Sequence, residues 1–175
     1  MDDHRRAAHL SPDWDYAERQ VRAWSADVGL TTNADGEHAL ARMGRGGMAG
    51  WLASDADRFE PALLSRRSVF IAVVDDGFDH ERAEPERVRV LLEQLIGVLE
   101  GVDIPRGYPA VAALADLWPR RLAGAASGWA VRFVEVYRRH ADATYTAVEL
   151  CARGGKQGLA DHPALRRHTI TALPT

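Results

Sequence analysis

VFIAVVDDGFD, residues 69–79, is an apolar run that passes without a turn signal into three carboxylates spaced Asp-Asp-x-x-Asp. On an α-helix, residues four apart share a face and residues three apart are close neighbours, so Asp75 and Asp79 project together and Asp76 flanks Asp79. The three negative charges repel one another unless a cation neutralises them, and hard oxygen donors suit Mg²⁺ best, with Mn²⁺ as the alternative. Mg²⁺ takes one or two protein carboxylates and fills its other positions with water and phosphate oxygens. A carboxylate patch at the end of an apolar helix therefore suggests a greasy molecule with a phosphate head. Acidic triplets are also common as solvated helix ends, and a bare DDxxD is by itself more often surface than metal site. Its placement argues otherwise: the helix macrodipole disfavours acids near a C-terminus, and a local cost without a local benefit marks function.

The rest of the chain reads as a helical domain. With 175 residues, 46% of them hydrophobic, it is long enough for a single domain, residues 1–175, with a sizeable core. A formal net charge of -3 gives no reason to expect nucleic acid, and the pairs Arg66-Arg67, Arg120-Arg121 and Arg138-Arg139 read as solvated helix faces. Cys151 is alone, so no intrachain disulfide can form and a reducing, cytoplasmic location is expected. The sequence shows neither a signal-like apolar stretch nor a membrane-length run.

Proline starts and glycine stops divide the chain. Ser11-Pro12-Asp13 predicts a helix start, with Ser11 as N-cap, running through Trp14, Val21 and Trp24 to Gly29. After the turn at Asn33–Gly36 a second helix is expected over Glu37–Ala53, although Gly44, Gly46, Gly47 and Gly50 each cost about 1 kcal/mol relative to alanine. Without a preceding strand or a lysine they do not form a phosphate loop, and close helix packing is their better reading. Pro61 opens a helix to about His80, and Glu84–Gly101 carries an apolar stripe of Val88, Leu91, Leu92, Leu95, Ile96 and Leu99. Pro109 starts another helix through Trp118, Trp129–Arg153 makes the longest, and a short helix follows Pro163. No alternating strand pattern competes, so the fold class is all-α, an antiparallel helical bundle.

With the helices placed, a resemblance emerges. The early SP…W…W helix, WLASDAD at 51–57, VVDDGFD, PAVAALADLW at 109–118, WAVRF at 129–133 and RRHTI at 166–170 occur in the order found in the N-terminal part of class I terpene synthases of the bacterial type. This resemblance implies the first half of the isoprenoid synthase fold and an Mg²⁺-dependent carbon–oxygen lyase that ionises an isoprenyl diphosphate, such as farnesyl diphosphate, with release of diphosphate. It implies that Asp75 is the principal metal-bridging aspartate, with Asp76 and Asp79 as supporting carboxylates. It also implies that Arg166 senses diphosphate, with Arg167 beside it, and that Thr169 and Ile170 are the linker and effector positions. Physically, a guanidinium grips phosphate oxygens bidentately while metal neutralises the leaving group. Ile71 and Ala72, one turn before Asp75, stand where the family lines its cavity and often carries aromatic rings that stabilise cations.

The sequence departs from that pattern at two points near its end. No second metal motif, Asn/Asp-Asp-x-x-Ser/Thr-x-x-x-Glu, occurs among its 175 residues. His162 stands where a tyrosine usually precedes the arginine pair. A metal cluster built from two walls is not completed by one, which leaves an alternative: a truncated metal- and diphosphate-binding helical module, or an inactive relative, that needs a partner chain for the second motif. An exposed apolar face would also favour a homodimer that opposes two DDxxD motifs.

Overall fold

The structure is a computed structural model that describes residues 9–79 and 84–154, and of residues 77–79 it describes the helical backbone only. The described residues form seven α-helices and no strand: α1 (Trp14–Asp27), α2 (Ala34–Met43), α3 (Arg45–Leu52), α4 (Phe59–Asp79), α5 (Pro85–Leu99), α6 (Pro109–Leu122) and α7 (Trp129–Ala152). They pack as two compact units, one up to Phe70 and one from Ile71 onward, so that α4 contributes to both. The short helix expected after Pro163 lies outside the described residues.

In the first unit, α1 buries Ala17, Val21 and Trp24, a spacing of four and three that keeps one stripe inward. Its start differs from the sequence expectation. Asp13 occupies the cap position without a side-chain bond, while Ser11 is buried and its hydroxyl accepts the Asp13 N–H at 3.3 Å. The expected helix over Glu37–Ala53 is also corrected, because Gly44 adopts a left-handed φ of 57° and divides it into α2 and α3. A left-handed residue ends a helix, and glycine enters that region without a Cβ penalty.

The reading of the remaining glycines as packing residues holds for Gly46 and Gly50. A Cβ on Gly46 would lie 2.6 Å from the Glu18 backbone nitrogen, and one on Gly50 would lie 2.9 Å from the Trp14 Cβ. Since Gly46 meets the later α1 residue and Gly50 the earlier one, α1 and α3 run antiparallel at close approach. Glu18 Oε2 accepts the Gly46 N–H at 2.9 Å, so α1 supplies the anionic cap that Gly44 has no side chain to provide. Ser65 on α4 is fully buried and donates to the carbonyls of Pro61 at 2.7 Å and Arg45 at 3.3 Å.

The second unit is built on α5, which touches both α6 and α7. Pro85 occupies the first turn of α5, where its missing N–H has no helical partner to lose, and Gly101 follows the helix at a φ of 78°. Val88, Leu92, Leu95 and Leu99 are buried, and Val88 and Leu92 pack with Ala141 and Val148 of α7. Trp118 on α6 donates its indole N–H to the Leu99 carbonyl at 3.1 Å and joins a run of rings with Trp129 and Phe133 of α7. Tyr137 continues that run, and burial pushes its phenol above the ordinary tyrosine range, so it stays protonated in all but strongly alkaline solution.

Leu95 has no exposed surface. Its truncation to alanine is expected to cost about 2–5 kcal/mol through lost burial and a residual cavity. Urea denaturation measures this as a lower midpoint at unchanged slope, and a midpoint equal to that of the parent would show the position to be less packed than its burial indicates.

Candidate metal and diphosphate site

α4 enters its last turns through Val69, Phe70 and Val74, all buried, and then turns polar. Asp75 and Asp76 are both exposed, next to each other in sequence and about 100° apart around the helix axis. The last turn of α4 holds no basic residue, so the C-terminal end of the dipole and the carboxylates add unfavourably. Exposed carboxylate oxygens have the donor chemistry of a hard-cation site, and two of them meet the number that Mg²⁺ takes from a protein. No group of three metal-binding side chains is assembled among the described residues. The side chain of Asp79 is not described, and the third carboxylate of the motif is therefore not placed.

Ile71 and Ala72, expected to line the cavity, are half-buried on the same helix one turn earlier. Arg166, Arg167, Thr169 and Ile170 lie outside the described residues. The earlier arginine pairs depart in part from their reading as solvated faces. Arg66 and Arg67 are half-buried, and Arg66 donates to Gln20 Oε1 at 3.1 Å; Arg121 lies over the Trp129 ring at 4.3 Å from its centroid. Arg120 keeps the exposed character expected of it and bonds Asp116 one turn back. Arg138 and Arg139 are likewise exposed and pair with Glu100 and Glu135. Pairing type and burial are set by which helix lies opposite, and a dipeptide does not encode that.

The residue pattern of the family described as terpene synthase family 2, C-terminal metal binding, matches residues 68–175, a span that contains the acidic end of α4 and the RRHTI string. The chain belongs to the terpene synthase family. It is 31% identical over 176 residues to pentalenene synthase of Streptomyces exfoliatus, covering 94% of this chain and 50% of that protein. It is 30% identical to the (-)-beta-caryophyllene synthase ((2E,6E)-farnesyl diphosphate cyclizing) of Saccharothrix espanaensis, covering 94% of this chain and 48% of that one. The chain thus spans about half the length of these relatives.

Solved terpene synthases share its fold. The crystal structure of a-eudesmol synthase superposes with a TM-score of 0.78 at 24% identity, over 97% of this chain and 57% of the other. Linalool/nerolidol synthase from Streptomyces clavuligerus gives 0.77 at 21% identity, over 94% and 55%. The all-α expectation and the isoprenoid synthase fold are therefore both met. A metal-binding family also implies the use of a divalent metal. No described helix is long and apolar enough to cross a membrane.

Proposed function

We propose that this terpene synthase chain contributes the aspartate-rich wall of a class I active site, which ionises an isoprenyl diphosphate in an Mg²⁺-dependent step. The reading is carried by one observation: exposed Asp75 and Asp76 at the C-terminal end of α4, within the span matched by a metal-binding terpene synthase family. Asp75 and Asp76 would hold Mg²⁺, or Mn²⁺ in its place, with Asp79 as a further carboxylate. Bound metal supplies positive charge that stabilises the departing diphosphate.

The protein's own part is binding and orientation. Arg166 and Arg167 offer guanidinium donors to the phosphate oxygens, with Thr169 and Ile170 beside them, while Ile71 and Ala72 offer apolar surface to the isoprenyl chain. The allylic carbon–oxygen bond breaks, its electron pair leaves with diphosphate, and an allyl cation remains that must be kept from water. Farnesyl diphosphate is the substrate we favour, because the caryophyllene synthase relative is described as cyclising (2E,6E)-farnesyl diphosphate. A cytoplasmic setting fits this chemistry, since isoprenyl diphosphates are charged and water-soluble at one end.

A second reading is a module that binds Mg²⁺ and diphosphate but turns over only with a homodimeric or separate partner chain. It concerns what the acidic end of α4 does without the full length of the relatives, about half of which this chain spans. Incubation with geranyl, farnesyl and geranylgeranyl diphosphates and Mg²⁺, with products read by gas chromatography and diphosphate by a coupled assay, separates the two. Terpene product with diphosphate release supports the first reading, and metal-dependent pyrophosphate binding without product supports the second. No metal-dependent binding overturns both. In a calorimetric titration with pyrophosphate and Mg²⁺, Arg166→Lys is expected to weaken binding about tenfold although the charge is retained, because an ammonium cannot reproduce the planar fork. Unchanged affinity would remove Arg166 from the site.

A further inference from the structure

We propose that α2 is a hinged flap, a helix that opens from and closes onto α1 as its own cooperative unit while α1 and α3 stay packed. The two helices that meet at Gly44 are held in very different ways. On one side, α3 is locked: Gly46 and Gly50 let it approach α1 until there is no room for a Cβ, Glu18 accepts the Gly46 N–H, and the Gly50 carbonyl accepts the Ser11 N–H at 3.1 Å.

On the other side, α2 rests on α1 through little surface. Leu40 is its one buried residue. Asp35, Glu37, His38 and Arg42 are all exposed, and among the described residues no α2 side chain makes a hydrogen bond or ion pair to another helix. Its N-terminus is satisfied locally, since Asn33 Oδ1 accepts the Gly36 N–H at 2.8 Å, so leaving α1 does not uncap it. Its C-terminus is Gly44, whose φ of 57° no other residue type but asparagine or aspartate adopts readily, and nothing lies within 4 Å of a Cβ built there.

These features set a direction for the energetics. A helix closed by one leucine, without polar ties, and flanked by a glycine with open space around it has a low opening free energy compared with its neighbours. Opening exposes Leu40 and the half-buried Gly36, Ala39, Ala41 and Met43, while Asp35, Glu37, His38 and Arg42 already face water. The docked form depends on two residues, Leu40 for contact and Gly44 for angle.

Hydrogen-exchange mass spectrometry on the full 175-residue chain tests this without any variant. A ten-residue helix undocked from α1 is marginal by itself and frays, so the expected result is that amides of α2 exchange about 100-fold or more faster than those of α3, although the two helices are adjacent in sequence. Leu40→Ala should accelerate α2 by about a further tenfold and leave α1 and α3 unchanged. Gly44→Ala should also accelerate α2, and Gly44→Asn should do so less, because asparagine tolerates the left-handed conformation. The proposal is overturned if α2 is protected as strongly as α3 in the parent chain. It is equally overturned if Leu40→Ala accelerates α1, α2 and α3 together, which would make them one cooperative unit.

Discussion

Asp75→Ala is expected to weaken Mg²⁺-dependent pyrophosphate binding about 100-fold, equivalent to roughly 2.7 kcal/mol, while leaving the thermal transition within a degree or two of the parent. The two halves of this expectation have different physical origins. Asp75 is exposed, so its removal opens no cavity, and it sits at the unfavourable end of the α4 dipole. A carboxylate that holds a divalent cation, in contrast, contributes a full charge at contact distance, and the remaining Asp76 and Asp79 do not replace it. Asp76→Ala should cost less than Asp75→Ala if Asp75 is the principal ligand. Asp35→Ala, an exposed aspartate on α2, should have no effect. Titration calorimetry with pyrophosphate in the presence and absence of Mg²⁺ reads all three. Equal losses for Asp75→Ala and Asp35→Ala would return the acidic motif to surface decoration and withdraw the metal site.

What could be read from the sequence depended on whether the signal was local. The start of α5 at Pro85, the glycine after it and its apolar stripe are all properties of one segment, and the structure agrees with each. Pro61 also marked α4, though the helix begins two residues earlier at Phe59, because proline is tolerated throughout a first turn whose N–H groups lack partners. The four glycines between Gly44 and Gly50 were harder. Periodicity and propensity charge the same cost to each, so nothing local distinguishes the one that breaks the helix from the two that pack against α1. The role of Glu18 as the cap of α3 had no sequence signal at all, since donor and acceptor are 28 residues apart. For the candidate site, Asp75 and Asp76 were legible because a carboxylate pair at an apolar helix end conflicts with the dipole. For Ile71 and Ala72, expected to line a cavity, no local signal exists, because an aliphatic side chain on a helix face looks alike whether it meets core or ligand.

The neighbouring glycines Gly46 and Gly47 should respond to alanine with opposite signs. Helix propensity alone predicts a gain at both, roughly 0.5–1 kcal/mol each, because both lie inside α3. At Gly47 nothing lies within 4 Å of an added Cβ, so the gain stands and the melting temperature should rise. At Gly46 the added Cβ would sit 2.6 Å from the Glu18 nitrogen and 2.7 Å from its Cα, and a helix backbone cannot yield as a side-chain tip does. Relief requires α1 and α3 to move apart, which also lengthens the 2.9 Å bond from the Gly46 N–H to Glu18. Overpacking of this kind typically costs about 1–3 kcal/mol and exceeds the propensity gain, so a net loss of about 1 kcal/mol is expected for Gly46→Ala. Gly50→Ala should fall between the two, since one of its close contacts, 3.0 Å to Leu10 Cδ1, is the end of a movable side chain. Chemical denaturation of the three variants orders them. If Gly46→Ala proves as stable as Gly47→Ala, the close antiparallel approach of α1 and α3 is wrong, and with it the rigid reference against which α2 is proposed to open.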